Sequence, residues 1–212
     1  VEWDWVVISG LATAAGTFVL ALATFWSVRS ANRAARVAEE SLLASVRPLL
    51  MPSRLADTPL KVNFADNHFV RVDGGAGTAE LVADAIYLTL SVRNAGNGIA
   101  ILHGWRVAPS SDAMARSDAP KLDSFRRLTR DLYIAAGDHG FWQGAIRDRN
   151  DADWDVAASA ITARERLVID VLYGDHQGGQ RVISRFILLP REDDQWLASV
   201  ARHWNVDRPD PR

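Results

Sequence analysis

Residues 5–28 carry no charged side chain, and no other stretch of the chain restricts the possible folds as strictly. After Trp5 they read VVISGLATAAGTFVLALATFWSV. About 24 residues at about 1.5 Å each make a helix of about 36 Å, enough to cross a hydrocarbon core of about 30 Å with some tilt. The run predicts one membrane-spanning helix, with Trp3, Trp5 and Trp26 at the two interfaces, where amphipathic rings settle. A buried helix of a soluble protein is the poorer fit to so long an uncharged run.

The flanks predict an orientation. Glu2 and Asp4 precede the run, whereas Arg29, Arg33, Arg36 and Arg47 follow it, and short flanks rich in basic residues stay in the cytoplasm. The expected arrangement is a single pass through the plasma membrane, with the amino end outside and the large remainder in the cytoplasm. A cleaved secretory signal has the opposite charge asymmetry, so the helix is expected to persist. Basic residues upstream of Val1 would weaken this orientation.

Beyond the apolar run, SVRSANRAARVAEESLLASVR is rich in helix formers and meets no proline before Pro48. The helix is therefore expected to continue through residues 29–47. One stripe of three- and four-residue spacing runs along it: Ala14, Thr17, Ala21, Thr24, Val28, Ala31, Ala35, Ala38, Leu42 and Ser45. Small side chains let helices approach closely in lipid, so this seam suits a second copy of the chain or the helix of another membrane subunit. Chance in an alanine-rich sequence explains the same stripe. Arg29, Arg33 and Arg36 suit anionic head groups at the membrane surface. The run RSANRAARVAEESLLASVRPLL, directly after an apolar helix, resembles the juxtamembrane portion of a group of uncharacterised single-pass actinobacterial membrane proteins. The likeness covers roughly the first quarter of the chain, with weaker echoes at SVRNAGNG and VLYGDHQGG. It implies a single-pass architecture and brings no catalytic residue.

From Pro48 onward the apolar period changes from 3.6 to 2. In AIYLTLSVRNAGNG, Ile86, Leu88, Leu90 and Val92 alternate with polar neighbours, as a half-buried strand requires. A turn at 94–98 leads to IAILHGWRV, with Ile99, Ile101, His103, Trp105 and Val107 on one face, as the second half of a hairpin or of a corner between sheets. ERLVIDVLYGDHQGGQRVISRFILLP is the clearest hairpin, and LLMPS, LKVNF, HFVRV and GFWQGAI are weaker strand candidates. Seven or eight short strands predict a mainly β domain over 48–190, a β-sandwich of immunoglobulin-like architecture. Helices are expected at 124–132 and 151–163. A short C-terminal helix is expected within 191–212, because Trp196, Val200 and Trp204 stand at i, i+4 and i+8, followed by a disordered tail. The expected organisation is thus 1–28 anchor, 29–47 juxtamembrane helix, 48–190 sandwich and 191–212 helix and tail.

The chemistry is read mainly from what is missing. The chain has no cysteine, which removes disulfides and thiolate chemistry, and its net charge of −2 gives no global case for nucleic acid. The spacings of a phosphate-binding loop, a serine-nucleophile elbow and a paired-histidine zinc helix do not occur. The acidic run DRNDADWD, from Asp148 to Asp155, lacks the glycine and distal glutamate of a calcium loop. His103 reads as a core imidazole beside Trp105, and Asp175 with His176 as an exposed hairpin tip. Only Lys61 and Lys121 are lysines, so the positive surface is made of arginine. Arg126, Arg127 and Arg130 form a cluster suited to an acidic partner or an anion, or to a solvated face. No catalytic, cofactor or metal residue is expected. The function these features favour is a non-catalytic membrane-anchored accessory or adaptor protein that binds other proteins. The alternative is a small-ligand or lipid head-group sensor, which would need Arg126, Trp142 and His176 to converge.

Overall fold

A computed structural model describes residues 4–113, 118–192 and 195–208. Glu2 and Trp3, Asp193 and Asp194 of the expected C-terminal helix, and residues 209–212 of the expected tail lie outside the described residues. The chain forms two compact units, Val1–Ala44 and Ser45–Arg212.

The first unit is the helix α1, whose 41 residues run from Trp5 to Ser45. At 1.5 Å per residue it measures about 60 Å, so the apolar run and its polar continuation form one uninterrupted rod. Its best 18-residue window has a mean hydropathy of 2.1, and none of that window is buried. In the apolar run, the Thr13, Thr17 and Thr24 hydroxyls donate to carbonyls four residues back at 2.8–2.9 Å, so these polar groups are satisfied within the helix.

The second unit begins with β1 (Leu50–Pro52), the hairpin β2 (Leu60–Asn63) and β3 (Phe69–Val72), and then β4 (Ala76–Val82), β5 (Ala85–Asn94) and β6 (Ala100–Ala108). It continues with β7 (Arg126–Ile134), β8 (His139–Ile146), α2 (Trp154–Thr162), β9 (Leu167–Gly174), β10 (Val182–Pro190) and β11 (Trp196–Asn205). All pairings are antiparallel. Nine strands form one sheet that curls around a single core, in the order β8, β5, β4, β11, β10, β9, β6, β7, with β1 beside β4 on the same flank of β5. The domain is mainly β, as expected. The pairing nevertheless runs unbroken where two separate sheets were expected, because β4 meets β11 at a corner through Gly77↔Trp196 and Ala76↔Leu197. A side chain at Gly77 would press on Leu188 and come within 2.7 Å of the Thr89 carbonyl, so the corner requires glycine.

The core explains the alternation seen in the sequence. Ile86, Leu88, Leu90 and Val92 point into it, with Trp142, Ile169, Val171, Phe186 and Trp196. The other face of β5 is covered as well, since the β2–β3 hairpin lays Val62, Phe64, Val70 and Val72 over Tyr87. Helix α2 buries Trp154, Ala157 and Ala160 at three-residue spacing, which accounts for the helix expected at 151–163. On the outer face of the sheet Arg106, Asp170 and Arg185 stand in register across β6, β9 and β10. The buried Asp170 carboxylate accepts from Arg185 Nε at 2.7 Å and Nη2 at 2.8 Å, and from Arg106 Nε at 2.9 Å. The chain enters this unit through a second polar network. Leu50 N donates to the Tyr173 hydroxyl, which lies 2.8 Å from Ser184 Oγ, and burial pushes the Tyr173 phenol up to about 12.

Three expectations fail for definable reasons. The C-terminal helix is instead the strand β11, paired with β10 over its length. A spacing of four is also a multiple of two, so Trp196 and Val200 share a strand face equally well. A bulge opposite Arg185 and Phe186 then turns Trp204 to the other side, against Leu172 and Ile183. The helix expected at 124–132 is strand β7, where pairing with β6 overrides local propensity. In β6, the ladder slips between Leu102 and Gly104, so Leu102 and Trp105 both face inward and His103 is exposed rather than a core residue.

Candidate functional site

Strands β7 and β8 are consecutive in the chain yet do not pair with each other. The turn between them is tied to Asn94, whose N–H donates to the Asp138 carbonyl at 2.9 Å and whose Nδ2 donates to the Ile134 carbonyl at 3.1 Å. At that end the Ile134 side chain closes over Gly140. Toward the other end the strands part, leaving a groove of about 310 Å³. Its walls are residues 126–130 of β7, residues 63–65 at the β2–β3 corner, and Gln143, Gly144, Ala145 and Arg147 on the β8 side, with Trp105 beneath.

Local sequence builds each wall. A side chain at Gly144 would come within 2.7 Å of Trp105 and 2.9 Å of Trp142, so glycine lets the Trp105 ring lie against β8 as a floor. On β7 the ladder passes from Leu102↔Leu132 to Gly104↔Arg127, which leaves residues 128–131 without a matched partner in β6. That bulge carries Leu128, Thr129 and Arg130 into the groove wall. The β2–β3 corner is pinned by Asp66, which accepts from the Tyr87 hydroxyl at 2.6 Å and from Arg147 Nε at 3.0 Å. His68 stacks on the Tyr87 ring at 4.0 Å.

Asp66 has a consequence that can be measured. The Tyr87 hydrogen bond, with help from Arg147, holds its carboxyl at about 2, well below the ordinary value of 3.8. A carboxylate depressed on folding stabilises the native state above its unfolded pKa and loses that contribution as pH falls through the folded one. The stability difference between the protein and Tyr87→Phe is therefore expected to be constant above about pH 5 and to shrink from about pH 4 toward pH 2. Urea midpoints across that range test it, and a difference independent of pH removes the assignment.

The sequence-selected arginines separate into two kinds. Arg126 is committed to the fold: it donates to Asp151 at 2.7 and 2.6 Å and to Asp153 at 2.6 Å, and its guanidinium lies 4.5 Å from the Trp105 ring centre. Burial opposes its charge, and the two carboxylates outweigh that and raise its pKa; Asp151 is lowered in return, against its own burial. Two carboxylates of the acidic run are thus engaged by Arg126, and Asp153 also accepts from Val107 N. Arg127 and Arg130 are exposed on the groove rim; Arg130 reaches the Asn63 carbonyl at 3.5 Å, and Arg127 has no acidic partner among the described residues.

The remaining selected residues lie elsewhere. Ala14, Thr17, Ala21, Thr24, Ala31, Ala35, Ala38, Arg29, Arg33 and Arg36 are exposed along α1, and Leu42 is exposed near its end. Trp142 is buried in the core behind Trp105, and His176 is exposed in the β9–β10 turn, so neither joins Arg126 at the groove. Asp175, expected at an exposed tip, is buried, with both carboxylate oxygens unpartnered among the described residues. Sequence reasoning missed Trp105, Gln143 and Arg147 as groove residues. The available hint was Gln143 itself, a lone amide between Trp142 and Gly144 in an apolar strand. No protein-family model matches the chain, and no curated protein matches it either.

Proposed function

We propose that the chain is a single-pass membrane-anchored adaptor without catalytic activity, which presents its β unit in the cytoplasm to bind another protein within a membrane assembly. The observation that carries this reading is α1: an apolar rod with no buried residue needs lipid or another protein along its length. The arginines after the span favour the cytoplasmic side. A single helix encloses no polar path, so activity passes through partners. At the groove, Arg126, Arg127, Arg130 and Arg147 offer guanidinium hydrogen-bond donors and no acceptor, which supports a binding role over catalysis. The small-residue seam offers the helix partner, either a second copy or another subunit, and the lineage suggested by the juxtamembrane run fits the same architecture.

Cross-linking in native membranes tests the proposal. The protein is expected to resist carbonate extraction, to be cleaved by protease only after the membrane is opened, and to form reproducible cross-linked species. Ala21→Leu together with Ala35→Leu is expected to reduce cross-linking through α1 several-fold without changing extraction. Cleavage of the β unit in intact cells, or a protein that is soluble without detergent, overturns the reading.

A further inference from the structure

We propose that the groove between β7 and β8 receives an extended, acidic stretch of a partner polypeptide, which adds as a strand to the free edge of β8. This deepens the adaptor reading and rests on it for the partner being a protein. Strand β8 pairs with β5 over eight consecutive residues without a slip, and its other edge has no ladder partner among the described residues. Such an edge presents a row of backbone donors and acceptors, the template that strand addition uses. The open part, from Gln143 to Arg147, is roughly 14 Å long at about 3.4 Å per residue, room for four or five extended residues. The bulged β7 forms the opposite wall.

The chemistry of the walls selects the occupant. Gln143 is 94 % buried, and its Oε1 has no hydrogen-bond partner. A buried amide left unmatched is costly, and another amide is the group that matches it in either orientation. A phosphate offers acceptors alone and would set an anion against this carbonyl oxygen. A polypeptide backbone supplies both donor and acceptor. The acidic preference comes from the arginines: Asp151 and Asp153 neutralise Arg126 and Asp66 neutralises Arg147, whereas Arg127 and Arg130 remain without acidic partners among the described residues. Charge standing on an edge also repels unsuitable strands, so the groove admits acidic segments selectively.

The full chain in detergent, screened against a phage-displayed random heptapeptide library, provides the test. Enriched peptides are expected to be acidic and rich in β-branched residues, and a synthetic copy is expected to protect backbone amides of 143–147 from hydrogen exchange. Arg127→Glu with Arg130→Glu, both at exposed positions, is expected to weaken binding at least ten-fold. Methylating alternate backbone nitrogens of the peptide should abolish it. Gln143→Met, which removes the unmatched amide while keeping the volume, is expected to weaken binding without loss of folded protein. Absence of enrichment, enrichment of basic peptides, indifference to backbone methylation, or binding of inorganic phosphate or anionic vesicles in place of peptide each overturns the proposal. The two readings fail separately: peptide binding by a chain that leaves the membrane in carbonate sinks the anchor alone, and peptide binding that survives the Arg127 and Arg130 reversals in a chain that resists carbonate sinks the groove alone.

Discussion

Replacing Asp170 with alanine is expected to destabilise the β unit by about 3–5 kcal/mol, the usual cost of breaking a buried ion pair by removing one partner. Asp170 is fully buried and Arg185 is 2 % exposed, so the arginine left behind cannot recover its hydration without opening the sheet. Arg106 also loses the Asp170 carboxylate, but its side chain is 21 % exposed and can turn to water. Arg185 lies 4.9 Å from the Trp204 ring centre, and that contact compensates only a small part of the loss. For a unit of this size the fall in Tm is about 6–20 °C, read by tryptophan fluorescence in detergent. The double substitution Asp170→Val with Arg185→Met is expected to regain most of the stability, because an apolar pair of suitable volume avoids the desolvation of two charges. If Asp170→Ala melts with the parent protein, the buried row does not hold β9 to β10.

The second large effect concerns α1. Leu20→Arg is expected to raise the cost of membrane insertion by about 3–4 kcal/mol, since it loses a favourable leucine and places a cation deep in the apolar run. The fraction resisting carbonate should fall sharply. Val37→Arg, at an exposed position beyond that run, should leave extraction unchanged. Equal extraction of the two variants would mean that residues 5–28 are not the segment held by lipid.

These two regions mark how far the sequence could be read. α1 was legible because composition alone decides it: 24 uncharged residues have few stable destinations, whatever they touch. The alternation of Ile86, Leu88, Leu90 and Val92 gave β5 correctly, and the glycine-rich turn gave the β9–β10 hairpin. It did not reveal that Thr89 and Ser91, on the supposedly solvent side, are buried too. That burial comes from the β2–β3 hairpin and from β1 with the chain after it, where Ser53 meets Ser91, and no local pattern records a distant cover. β11 was misread because its three spaced apolar residues satisfy two periods at once. His103 was misplaced by a one-residue slip, which reverses every face beyond it.

The groove was least legible of all. It exists because two neighbouring strands each pair elsewhere, and which edges remain free depends on the whole pairing scheme. Arg126, Arg127 and Arg130 were singled out as a cluster, and the sequence could not show that Arg126 is spoken for by Asp151 and Asp153, some 25 residues on. Arg147 was overlooked because its partner, Asp66, lies about 80 residues earlier.

The corner where β4 meets β11 sets an order of events during synthesis. It joins positions about 120 residues apart, and β11 follows every other described strand in the chain. The apolar amino-terminal segment is made long before that and can partition while most of the sheet is still unwritten. In the interval the β4 edge that β11 will cover stays open, so slow elongation exposes nascent chains to mispairing with one another. Closing that edge therefore waits on the completion of β11.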